Sequence, residues 1–395
     1  MGYRSLTVQF LLLAVGLTVA VVVISLVVLW PRGDTPDVGS QFAQRAKTES
    51  ARVVGVAEVR CRVPGQKDCV RVGIELRSGP DDGERASFVT GGVRNEVRLS
   101  VGDRILVTRN QLPEGAQLGG VRLDRYAFAD FERRSALGWL AVGFVALVLL
   151  TGRWRGLRAL AGLALSIVIV VEFVVPAILE GSSPVGVALV GALAIMLTTI
   201  PLAHGVGAKA IAAILGTTAC LLLTAGLASF FTDLAHLTGF ASEESVFIRA
   251  AAGELSIQGL LLAGMVIGAL GVLDDLTVSQ ASTVMALRRA NPALSFGRLV
   301  QEALDVGHDH IAATVNTLML AYVGASLPII LIFTIGETPA ADAVNLEAVA
   351  APIVAMLVGS IGLIAAVPVT TVLAALLALR LPERALRDAH AAHSH

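Results

Sequence analysis

The stretch "GALGVLDDLTVSQAS", residues 268–282, decides how this chain is read. Two adjacent carboxylates, Asp274 and Asp275, stand inside a run that is otherwise apolar or small. They are the only charged residues from Leu255 to Leu287. A charged side chain within hydrocarbon is expensive, so such residues face a partner, a cavity or a pathway. The surrounding sequence has to supply which.

Outward from that stretch, the composition is that of an integral membrane protein. Of 395 residues, 55% are hydrophobic and 15% charged, with a mean hydropathy of +0.76; soluble domains carry roughly 25% charged residues. The net charge of −1 calls for no nucleic-acid partner. Arg far outnumbers Lys, and with the excess of Ala, Gly and Val this suggests a GC-rich bacterial source.

A helix needs about 20 mainly apolar residues to cross a bilayer. Eight stretches qualify, at 6–30, 136–152, 159–179, 184–203, 210–231, 255–273 with a possible continuation to 287, 311–333 and 349–379. The first has no clear cleavage site and reads as a retained anchor ending at Trp30. Basic residues mark the cytoplasmic side. Arg153, Arg155 and Arg158 follow span two, Lys209 follows span four, Arg288, Arg289 and Arg298 follow span six, and Arg380, Arg384 and Arg387 close the chain. The opposite connections, 180–184, 232–245 and 336–347, are acidic or neutral. Eight spans with both termini in the cytoplasm of a bacterial inner membrane satisfy every loop.

The chain therefore divides into an anchor (1–34), an extracytoplasmic domain (35–134), a seven-span helical domain (135–380) and a His-rich cytoplasmic tail (381–395). Residues 35–134 alternate like short strands, as in "ARVVGVAEVRCR" and "CVRVGIELRS", with Gly and Pro between them. A small β-barrel-like domain is expected there, acting as a structural cap or a dock for a protein partner. Tyr126, Phe128 and Phe131 at its end read as interfacial anchors. Cys61 and Cys69 can form a disulfide outside the cytoplasm; the alternative is two free thiols. The tail ends in "HAAHSH", which reads as a disordered end more readily than as a metal site.

Helical spacing sorts the polar residues within the spans. Asp275, Ser279 and Ser282 share a face, with Asp274 and Thr277 beside them and Gln280 further round. Gly264, Gly268 and Gly271 lie upstream and permit close helix approach. A second cluster, "DVGHDHIAATVNTL" at 305–318, places Asp305, Asp309 and Asn316 on one face and His310, Thr314 and Thr317 on another, with His308 beside Asp305. The two clusters are expected to converge near the inner leaflet. There they would form a proton or cation path, or a divalent-cation site built from Asp274, Asp275, His308 and His310. Glu172 ahead of Pro176, and Thr370 and Thr371 after Pro368, are further candidates for the path. A polar network that merely fixes helix register accounts for the same residues.

The words "LAHLTGFASEESVF", "GALGVLDDLTVSQASTVMALRRANP", "VGHDHIAATVNTLMLAYVGASLP" and "GSIGLIAAVPVTTVLAALLA" resemble the YibE/F family of bacterial polytopic membrane proteins. The resemblance implies topology and a membrane site rather than a substrate. It points to Asp274, Asp275, Thr277, Gln280, Ser282, His308, Asp309, His310, Asn316 and Thr317 as motif positions, with Glu172 outside them.

The reading that follows is a mainly α, permease-like protein that moves an ion or small solute. A polar site lies between spans six and seven, and the chain is either single or a homo-oligomer. Two other classes stand beside it. One is an intramembrane metal-dependent enzyme, against which no strong zinc spacing is present. The other is a non-transporting assembly subunit docking a partner through 35–134.

Overall fold

The computed structural model describes residues 6–33, 48–61, 69–91, 98–110, 117–118, 121–122, 124–251 and 255–380. The His-rich tail lies outside them. Contacts divide the chain into two units, residues 36–148 and the remainder.

In the smaller unit, β1 (Thr48–Glu58), β2 (Val70–Leu76), β3 (Arg85–Thr90), β4 (Arg104–Arg109) and β7 (Tyr126–Phe131) form an antiparallel sheet in the order β3-β2-β1-β4-β7. A two-residue pair, β5 (Gln117–Leu118) and β6 (Val121–Arg122), stands apart. Alternation drives the assembly: every second residue of β2 and β4 turns inward, and Val72, Ile74, Leu76, Ile105 and Val107 are fully buried. The sheet curls, so that the Val89 amide on edge strand β3 donates to Asp124 Oδ2, 2.8 Å away, just ahead of the other edge. Cys61 and Cys69 are joined by a disulfide with Cα atoms 5.2 Å apart.

One expectation is corrected here. Tyr126, Phe128 and Phe131 belong to β7; Tyr126 is 1% exposed in the core and so does not anchor an interface, and Phe128 and Phe131 are half-buried against the same core. The Tyr126 hydroxyl donates to Asp81, which also pairs with Arg125 at 2.8 Å and Arg109 at 3.6 Å. Burial, and then that hydrogen bond, push the Tyr126 hydroxyl well above its ordinary range. Asp81 is held below the usual carboxylate range, first by the hydrogen bond and then by the two guanidiniums.

The larger unit is helical. It comprises α1 (Leu6–Leu29), α2 (Arg134–Ile169), a π-helical turn (Val170–Val174), α3 (Val175–Leu179), α4 (Pro184–His204), α5 (Ala208–Leu234), α6 (Glu243–Ala251), α7 (Ile257–Ala290), α8 (Phe296–Ile335), α9 (Ala340–Asn345) and α10 (Glu347–Arg380); α2 begins inside the other unit. Among the described residues, seven helical runs are long and apolar enough to cross a membrane. The stretches 136–152 and 159–179 fall in a single run of 46 residues, Arg134–Leu179. Arg153 interrupts that run with φ 48 and ψ −127. Further along, Pro176 has no N–H to give Glu172, and the Val175 amide reaches back to the Val170 carbonyl, which is the π turn.

Two spans are longer than their apolar cores suggested. Helix α7 continues without a break through the acid pair to Ala290, and α8 begins at Phe296, fifteen positions before residue 311. The core lies among α4, α5, α7 and α10, around Met196, Leu221, Leu273, Leu276 and Leu363. Small residues set how closely these helices approach. At Gly216 a Cβ would collide with the Thr370 side chain, and at Gly362 with that of Thr224.

Candidate functional site

The acid pair straddles a boundary. Asp275 is exposed, whereas Asp274, one residue earlier and a hundred degrees round the helix, is turned inward and partly buried. Asp274 Oδ1 is buried with no hydrogen-bond partner. Its other oxygen lies 3.5 Å from Thr199 Oγ1 on α4. The Thr199 hydroxyl has one proton, and the Ile195 carbonyl at 2.8 Å takes it. What Thr199 gives Asp274 is therefore at most a long, shared hydrogen bond. No cationic side chain pairs with Asp274 among the described residues.

A seam of hydroxyls continues from there across the bundle. Thr277 sits one turn along α7 and meets Thr217 of α5 at 2.6 Å, both fully buried. Thr370 of α10 is fully buried against Gly216 with its Oγ1 unpartnered. Beside it, the Thr371 hydroxyl donates to the Val367 carbonyl and accepts from Gln280 Nε2 at 2.7 Å. The second Gln280 amide proton goes to the Ala303 carbonyl of α8 at 2.8 Å. A Cβ at Gly307 would collide with the Val367 side chain and press on that amide. Thr277, Gln280, Thr370 and Thr371 are thus brought together, and Thr199 and Thr217 join them. Sequence reasoning missed the last two; the threonine pairs at 198–199 and 217–218 in apolar helices were the available signal.

The surface side of α7 is different. Ser279 and Ser282 are half-buried, and both donate back to their own helix, at Leu276 and Val278. Above Asp275, exposed Gly264, Gly268 and Gly271 leave the helix bare; at Gly264 and Gly271 a Cβ would meet nothing.

The second cluster does not meet the first as expected. His308, Asp309, His310, Asn316 and Thr317 are all exposed on α8, and no hydrogen bond or ion pair joins them to Asp274 or Asp275 among the described residues. The reason is where α8 meets the bundle. It buries Leu299, Ala303 and Gly307 near its start, and from His308 to Ile335 none of its residues is buried, so even His310 and Thr317 on the Ala303 side stay uncovered. Accordingly no group of three His, Cys, Asp or Glu side chains able to hold a metal occurs among the described residues. The set Asp274, Asp275, His308 and His310 is not assembled within one chain. Glu172 is likewise exposed, in the π turn and away from the seam.

Two acids outside this region hold the loops. Glu180 accepts from the Arg32 and Gly33 amides at 3.0 and 2.8 Å, which ties down the end of α1. Glu347 accepts from the Thr238 amide and hydroxyl at 2.7 and 2.6 Å, and from the Gly239 amide.

Comparison with curated proteins and with solved structures found no match. Together with the seven apolar helices, a family assignment points to a multi-pass membrane protein: the profile of the YibE/F-like proteins matches residues 140–380, more than half of the chain, and the chain belongs to that family.

Proposed function

We propose that this protein is an inner-membrane permease that moves protons or a small cation, with Asp275 as the accessible acceptor and Asp274 as the buried one. The observation that carries the reading is Asp274 Oδ1, a carboxylate oxygen enclosed among helices with neither a hydrogen bond nor a cation. A register-fixing polar network satisfies its members, because an unmet buried polar atom costs about 1–3 kcal/mol. Asp274 leaves its capacity open, and a proton or a cation fills it.

The neighbouring groups fit a transfer. Asp275 faces the open, glycine-lined side of α7 and is adjacent in sequence to Asp274. Beyond Asp274, the Thr199, Thr217 and Thr277 hydroxyls and the unpartnered Thr370 Oγ1 offer oxygens without fixed charge. His308, Asp309 and His310 lie at the cytoplasmic end of α8 in the proposed topology and act as an entry funnel rather than as ligands. Asn316 and Thr317 leave the path.

The topology belongs to the same proposal. At 1.5 Å per residue, the 46-residue run Arg134–Leu179 is about 69 Å long, while the hydrocarbon core is about 30 Å thick. With its break at Arg153, the run supplies two crossings. Eight crossings place both termini in the cytoplasm and residues 35–134 outside, where the Cys61–Cys69 bridge persists.

Labelling with a hydrophobic carbodiimide, which attacks protonated carboxyls in apolar surroundings, tests the carrying observation. Mass spectrometry of the purified protein should find the adduct at Asp274, diminishing as pH rises, and Asp275→Asn should slow its formation. Absence of an adduct at Asp274 at every pH would remove the proposal's basis.

A further inference from the structure

Positive charge gathers where α4 turns into α5. Lys209, in the first turn of α5, is half-buried, and its ammonium lies 3.5 Å from His204 Nδ1 at the end of α4. Arg289, near the end of α7, and Arg155 of α2 are both close enough for their charges to act on Lys209. No carboxylate acts on it among the described residues. Arg288, next to Arg289, is engaged elsewhere, donating to the Pro292 and Leu294 carbonyls. An excess of arginine on this side belongs to membrane topology, which asks only for solvated charges. A half-buried ammonium set among guanidiniums is a different matter: it costs free energy unless an anion offsets it.

The backbone at the same place adds donors. The turn reads "HGVGAK", residues 204–209. Gly205 takes φ 76, a conformation that favours glycine. Gly207 caps α5 with an extended backbone, and no side chain accepts from the amides that open the helix. The first amide to bond back to the loop is that of Ile211, at the Gly207 carbonyl. The amides of residues 208–210 are therefore left over at the positive end of the helix. A Cβ at Gly207 would meet nothing within 4 Å, so the space in front of the turn is open.

We propose that the 204–209 turn, with Lys209, His204, Arg289 and Arg155 around it, binds a phosphate group. Phosphate carries enough oxygens to meet amides, an ammonium and guanidiniums at once, and the guanidinium fork matches its geometry with paired donors. Backbone amides at a helix start cradle the same group. The phosphate comes from an anionic lipid headgroup or from a soluble phosphate compound. Exposed Trp154 and Leu157 flank Arg155, and Leu202 is exposed in the last turn of α4, which puts apolar surface beside the cations. The site is separate from the acid pair: along α7, Arg289 lies about 21 Å beyond Asp275. The inference therefore stands whether or not the protein transports anything.

Two probes on the purified full-length protein in detergent test it. Native mass spectrometry reads retention of phosphatidylglycerol, and the melting temperature reads inorganic phosphate against chloride at equal ionic strength. The wild type should retain the lipid, which names a headgroup as the source, or melt higher in phosphate, which names a soluble compound. Lys209→Gln and Arg289→Gln should each weaken whichever probe binds by about tenfold. Arg298→Gln, which removes an exposed cation that does not act on Lys209, should leave binding unchanged. Arg289 is exposed near its helix end, so that variant keeps the test decisive if Lys209→Gln does not fold. Binding of neither probe by the wild type would overturn the inference. So would undiminished binding in folded Arg289→Gln, and so would an equal loss in Arg298→Gln.

Discussion

At the scale of single residues, Asp274 and Gln280 show what burial does to polar groups on one helix. Gln280 is 3% exposed and spends both amide protons, one on α8 and one on α10. It is a structural clamp. Gln280→Leu should therefore cost about 1–2 kcal/mol by removing the two hydrogen bonds that tie α7 to α8 and α10. The variant should melt at a lower temperature in detergent, with the carbodiimide labelling of Asp274 unchanged. Asp274 has the opposite character, since one of its oxygens is left over. Both residues were legible in the sequence as candidates, because polar side chains in an apolar run announce themselves. Their separate roles were not: which of Gln280 and Asp275 points inward depends on helix rotation, and that is set by α10 and α4, far away in sequence.

Elements show where the sequence signal ran out. Apolar windows located the cores of the seven long apolar helices, but windows end where charges begin. The amphipathic start of α8 was consequently cut off and the end of α7 past residue 273 left open, although backbone hydrogen bonding continues through both. In the β-domain, β1 to β4 carry the alternation of a half-buried strand and were readable. Strand β7, "YAFADF", places aromatics at positions 126, 128 and 131, which break strict alternation and resemble an interfacial belt. A register shift between Leu106 and Val107 accommodates it. Two outcomes belong at this scale. Asp81 has its folded pKa depressed, so the stability it contributes is present above its unfolded value and is lost as pH falls through the folded one. Calorimetry of the purified chain should show the β-domain transition dropping at acid pH, with Asp81→Asn flattening that limb. Loop closure between Cys61 and Cys69 is worth about 2–3 kcal/mol. A Cys61→Ser, Cys69→Ser double variant should lower the same transition and leave the helical one in place.

For the whole molecule, the pattern is one tightly packed group of helices carrying an unsatisfied acid, and one long helix, α8, in which no residue after Gly307 is buried. The separation of the His308–His310 run from the acid pair also bears at this scale. The four candidate ligands Asp274, Asp275, His308 and His310 do not converge among the described residues. The measurement that tests the central claim most directly is proton flux into proteoliposomes under an imposed membrane potential, read with a trapped pH dye. Wild-type protein should acidify the lumen, and both Asp274→Asn and Asp275→Asn should abolish the signal while melting within a few degrees of wild type. Full flux in both folded variants, or none in the wild type with sodium and potassium flux also absent, would contradict the account.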